Sequence, residues 1–105
     1  MSIPTPLTLI AIATALPGQE KILRAAQERL VSETVEERGC LRYELHQSIE
    51  DGRVLVFVET WASDADWRAH MQGGAIKRFH ASGAGNLFQD FSLIRMNLVT
   101  DGKQN

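Results

Sequence analysis

Two alternating runs, residues 41–49 and 54–61, are separated only by Glu50-Asp51-Gly52-Arg53. In the first, Leu41, Tyr43, Leu45 and Gln47 share one face, and Arg42, Glu44, His46 and Ser48 share the other. In the second, Val54, Val56 and Val58 alternate with Leu55, Phe57 and Glu59. A period of two is the signature of a strand, and so short a connection forces two strands to lie antiparallel as neighbours. Asp51-Gly52 is the pair favoured in a tight hairpin.

The remaining segments supply the other half. Residues 7–14 (LTLIAIAT) form an apolar, β-branched run that Pro17-Gly18 terminates, which predicts a buried strand. Over residues 19–38 the period changes. Leu23, Ala26, Leu30 and Thr34, flanked by Ile22 and Val31, make one stripe, while Glu20, Arg24, Glu28, Glu36 and Glu37 fall largely elsewhere. This predicts an amphipathic helix of about five turns, with Gly39 placed to end it. Ser63 is the expected N-cap of a second helix, with Asp66 three residues on. That helix should run to about Met71, where Gly73-Gly74 interrupts it. A further turn or two over residues 75–81 is expected, then a loop over 83–86 and a last strand over 91–99.

The predicted order is β-α-β-β-α-β, an α+β ferredoxin-like unit whose four-stranded antiparallel sheet carries helices on one face. The other face of that sheet would be bare and apolar. A second copy is the simplest cover, so a homodimer through the sheet face is expected.

Residues 1–105 are expected to form one domain, with a core over about 7–99 and a polar tail over 100–105. A formal net charge of −2 provides no field for nucleic acid or acidic membranes. No apolar run approaches the roughly 18–20 residues of a membrane span. The apolar N-terminal stretch has no basic residue ahead of it and prolines within it, so it is taken as the first strand and not as a signal peptide. A cytoplasmic location is expected. Cys40 is the only cysteine, which excludes an intrachain disulfide.

Three short motifs then stand at a specific spacing: Gly39-Cys40-Leu41-Arg42-Tyr43-Glu44-Leu45, Glu59-Thr60-Trp61, and His70 nine residues past the tryptophan. Over about residues 7–99 the chain resembles the antibiotic biosynthesis monooxygenase family. The resemblance implies a small dimeric α+β barrel, of the kind that includes quinol monooxygenases. It also implies one of several activities: cofactor-free oxidation of phenols and quinols by O₂, isomerisation of a small signalling molecule, or haem degradation in a related branch. Where members carry a second histidine five residues after the first, this chain has Ala75, with His80 further on. The haem-degrading branch has an asparagine where Ala11 stands and a tryptophan where His70 stands, which disfavours that reading. Phe57 occupies a position that is polar in a polyketide-oxidising member.

Within this frame His70 and Glu59 are the candidate catalytic residues. A neutral imidazole can take a phenolic or enolic proton near neutral pH; the alternative is a helix-end histidine set against the dipole. Glu59, on the same strand face as Trp61, is expected to orient His70 or hold a substrate hydroxyl; the alternative is a salt bridge to Arg42. Trp61, Trp67, Phe57 and Tyr43 are the candidate substrate-contacting residues, with plain packing as the alternative. His46 and Arg42 are expected at a solvated or dimer-contacting face, and Cys40 as a small filler. No HxxxH or CxxC spacing and no glycine-rich phosphate loop after a strand is present.

The leading expectation is therefore a cofactor-independent monooxygenase of a phenolic or quinol-type aromatic, with O₂ as co-substrate. A non-catalytic small-molecule-binding dimer and an isomerase of a small hydroxyketone are the alternatives.

Overall fold

The computed structural model describes residues 5–103. The expectation that the N-terminal stretch is not a signal peptide falls in part on residues 1–4, and that of a polar tail in part on residues 104–105; these lie outside the described residues.

The elements are β1 (Leu7–Ala15), α1 (Glu20–Thr34), β2 (Cys40–Gln47), β3 (Val54–Trp61), α2 (Asp64–Met71), α3 (Gly74–Ala81), a 3₁₀ turn (Ala84–Leu87) and β4 (Phe88–Met96). The strands order β2-β3-β1-β4, each pair antiparallel. The fold is ferredoxin-like, with the second crossover broken into α2 and α3 at Gly73-Gly74.

Parity along the central strands decides what the helices cover. Leu7, Leu9, Ala11, Ala13 and Ala15 of β1 are buried, as are Leu55, Phe57, Glu59 and Trp61 of β3. These face α1, α2 and α3. Between them Ile10, Ile12, Val54, Val56 and Val58 stay half-buried on the uncovered face. From α1 the buried contributors are Leu23, Gln27, Leu30 and Thr34, four positions spaced three or four apart, so that they form one stripe.

The structure corrects several boundaries. Helix α1 stops at Thr34, about four turns long. Glu37 N–H bonds Thr34 O at 2.9 Å, a tighter spacing than helix, and the chain turns away. Gly39 therefore does not end the helix. It has a φ of 80° and lies under α2, where a Cβ would collide with the Asp66 carboxylate. Ile22, expected at the flank of the stripe, is exposed. The β2–β3 connection spans residues 48–53 and is no two-residue turn. Gly52 does not take the positive φ that such a turn needs. Asp51 instead organises the loop, its Oδ1 accepting Arg53 N–H at 3.0 Å. Residues 83–86 are largely 3₁₀, and β4 begins three residues earlier than expected. Ser63 caps α2 as predicted, its Oγ accepting Asp66 N–H at 3.1 Å.

Strand β4 is an edge strand exposed on both faces: Phe91, Leu93 and Ile94 are 49%, 39% and 47% accessible. By register Ile94 lies beside Ile10 on the uncovered face, and Leu93 beside Ala11 on the helix side. Among the described residues no helix is long and apolar enough to cross a membrane.

Candidate functional site

A cavity of about 500 Å³ lies between the sheet and the α2–α3 pair. Its floor crosses the sheet from Tyr43 and Glu59 through Phe57 and Ala11 to Leu93 and Phe91. Rows of neighbouring strands place Tyr43 opposite Glu59, Phe57 opposite Ala11, and Ala11 opposite Leu93. Leu30, Trp67, Ile76 and Phe79 close it from the helix side; the exposed His80 and Asn86 also line it. Nearly all of this wall is apolar, so each polar group in it carries a large share of what orients a ligand.

His70, from the last turn of α2, is 3% exposed and faces this cavity. Its ring stacks on Trp61, centroids 4.7 Å apart, and meets the Tyr43 ring edge-on at 5.3 Å. Nδ1 lies 2.6 Å from Glu37 Oε1. A carboxylate only accepts hydrogen bonds, so a neutral imidazole paired this way carries its proton on Nδ1 and leaves Nε2 unprotonated. Burial pushes the His70 pKa below its ordinary value; the Glu37 carboxylate opposes that shift without cancelling it.

Glu59 is 4% exposed, and its Oε1 accepts the Trp61 indole N–H at 2.9 Å. Burial raises its pKa above the ordinary carboxylate value, and the indole hydrogen bond only partly offsets this. Tyr43, 6% exposed, packs on Phe57 at 5.0 Å. Burial first, then the Glu59 charge, drives its pKa far up, so its hydroxyl stays protonated.

Several expected placements change. Glu59 makes no hydrogen bond to His70 among the described residues; the histidine's partner is Glu37, which sequence reasoning placed on a solvated helix face. Nor does Glu59 pair with Arg42. It sits opposite Tyr43 on the helix-covered face, whereas Arg42 projects from the other face and pairs with Glu44 at 3.0 Å. His46 joins the same Glu44 at 2.9 Å, so Arg42 and His46 form one exposed cluster. Trp61, at 0% exposure, is no part of the cavity wall; it ends β3 beneath α2 and backs the imidazole. Trp67, Phe57 and Tyr43 do line the cavity. The Arg95 guanidinium covers the outer face of Trp67 at 5.0 Å and pairs with Asp64, which also holds Arg68. Among the described residues no group of three or more histidines, cysteines or acids is arranged to hold a metal ion.

The Glu59 environment gives a testable pH dependence. Because folding raises its pKa, the folded chain binds this proton more tightly than the unfolded one. The stability it supplies is full below the ordinary value of 4.5 and is lost as pH rises through the raised value. Glu59→Gln keeps an acceptor for Trp61 and removes the ionisation. Its melting temperature relative to the parent should therefore climb from about pH 5 to about pH 8. A constant difference across that range would show that folding does not raise the Glu59 pKa.

The sequence profile of the antibiotic biosynthesis monooxygenase family matches residues 6–82, most of the chain. The chain belongs to the antibiotic biosynthesis monooxygenase family. That span carries α1, the β2–β3 hairpin, α2 and α3, and so both Glu59 and the Glu37–His70 pair. Among solved structures, PA3566 from Pseudomonas aeruginosa is similar over 95% of this chain and 100% of its own, at 33% identity and a TM-score of 0.87. SO0527 from Shewanella oneidensis is similar over 90% of this chain and 91% of its own, at 26% identity and a TM-score of 0.83. A structure described as an antibiotic biosynthesis monooxygenase shares 26% identity over 90% of this chain and 99% of its own, with a TM-score of 0.82. Among curated proteins none matches the chain. The cavity thus sits in the fold of this family.

Proposed function

We propose that this family member is a cofactor-independent monooxygenase that oxidises a phenolic or quinol-type aromatic with O₂. The observation that carries the reading is a buried, carboxylate-backed imidazole facing an apolar cavity of about 500 Å³. Such a cavity suits a flat ring, with Trp67, Phe57, Phe79 and Tyr43 as its walls.

In this reading a substrate O–H gives its proton to His70 Nε2; the O–H bond breaks and an N–H bond forms. The phenolate is electron-rich enough to reduce O₂ itself. One oxygen atom bonds to a ring carbon, which ends as a quinone carbonyl. The O–O bond breaks, and the other oxygen leaves as water with two protons: the one held by His70 and the one given up by the ring carbon as its C–H bond breaks. All four electrons come from the substrate, and no external reductant enters. Glu59, which also lines the cavity, orients the substrate.

The same proposal has the protein act as a homodimer. Ile10, Ile12, Val56, Val58 and Ile94 make an apolar face that a second copy would cover, and the exposed edge of β4 bounds both that face and the cavity.

The test is oxygen consumption with a panel of hydroquinones, naphthols and naphthoquinols, in air and under anaerobic conditions. We expect one O₂ consumed per substrate and no turnover without O₂. Equal turnover in both conditions would replace the oxygenase with an isomerase. Binding with no turnover in either would make the protein a binding module.

A further inference from the structure

We propose that Glu37 is the positioning residue of this site: it holds the proton on His70 Nδ1 and so presents Nε2 as the acceptor to whatever occupies the cavity. For catalysis the inference rests on the reading of His70 as a base, but the geometry it concerns is independent of any substrate.

Glu37 is fixed by its backbone before its side chain does anything. Its N–H bonds Thr34 O at 2.9 Å and its C=O accepts from Cys40 N–H at 3.2 Å, which closes the turn between α1 and β2. The side chain reaches inward from this turn to the last turn of α2. There it bridges two elements that otherwise meet only through packing. It is 23% exposed while the His70 side chain is 1% exposed, so the carboxylate stands between the imidazole and water.

The pair resolves a conflict in the site. A buried histidine is a poor proton acceptor, because enclosure disfavours the imidazolium. A carboxylate at 2.6 Å from Nδ1 stabilises that cation at the moment it forms, and it also forbids the tautomer in which Nε2 would carry the proton. Trp61 and Tyr43 flank the ring, and among the described residues Nδ1 is hydrogen-bonded to Glu37 and to neither of them. The other titratable groups around the ring are Tyr43 and Cys40 of β2, and Glu59 of β3 behind the Trp61 indole. Tyr43 stays protonated, and the Cys40 thiol is also pushed up, by burial first and then by Glu37 and Glu59. Among these, Glu37 alone is hydrogen-bonded to the imidazole.

Nitrogen-15 NMR of the three histidines tests the inference on the whole chain without a substrate, His46 and His80 serving as internal controls. In the parent protein neutral His70 should be protonated at Nδ1. Glu37→Gln should lower the His70 pKa by about one unit, and Glu37→Asp should recover part of that shift. A neutral His70 protonated at Nε2 would overturn the proposal, as would a pKa unchanged in Glu37→Gln. The tautomer of the parent protein decides the matter even if a variant fails to fold. Correct pairing together with an absence of oxygen uptake would refute the monooxygenase reading and leave this one standing.

Discussion

Replacing His70 by alanine should cut oxygen-coupled turnover at least about a hundredfold, since a positioned general base is worth about 10²–10⁴ in rate. The loss should fall on kcat more than on KM. The imidazole contributes little wall to a cavity whose rings come from Trp67, Phe57, Phe79 and Tyr43, so ligand affinity should change far less than rate. The pH profile of the parent should show a base that ionises below the ordinary histidine value of 6.5, because burial lowers its pKa. Activity should thus persist to mildly acidic pH and fall as the imidazole is protonated. Oxygen electrode rates for the parent and the variant, with thermal melts to confirm folding at the assay temperature, check both statements. A His70→Ala protein that keeps more than about a tenth of the parent rate would remove the base from the mechanism.

The largest loss of stability should come from Trp61→Ala. Truncating a fully buried aromatic costs about 3–5 kcal/mol, against a total of about 5–15 kcal/mol for a domain. Here two further losses follow. The Glu59 carboxyl loses its indole donor, and the His70 ring loses the surface on which it stacks. Trp61→Phe separates these effects, because it keeps most of the packing and removes only the N–H. Leaving a buried acceptor unpaired costs about 1–3 kcal/mol, so the phenylalanine variant should fall between parent and alanine. Urea unfolding of the three proteins is the measurement. A loss below about 1 kcal/mol in Trp61→Ala would show that the indole is not the keystone of this end of the sheet.

Much of this architecture was legible because it depends on local rules. Alternation across residues 41–61 gives the hairpin, Ser63 with Asp66 gives the start of α2, and Gly73-Gly74 gives the break before α3. Strand parity put Glu59 and Trp61 on one face, and both are indeed buried. What local rules do not contain is which side chain meets which across the fold. Glu36 and Glu37 continue the charged pattern of α1, so they read as solvated helix residues. Only the turn that begins at Thr34 swings Glu37 toward α2. The two tryptophans exchange relevance for a similar reason. Both are apolar and six residues apart, but Trp61 ends a strand beneath a helix whereas Trp67 hangs from that helix over the hollow. Gln27 also escaped notice, since helix phase carries it into the core beside Leu23 and Leu30 although its amide finds no hydrogen-bond partner there among the described residues.

The floor of the cavity has a further consequence. Acid and base hang from β3, α2 and the turn after α1, whereas headroom is left by a methyl group on β1, at Ala11. At this point of the floor, fit is therefore set from a strand that carries none of the titratable side chains. A lineage could retune which guest is admitted by growing or trimming that one side chain, while the reacting groups stay where they are.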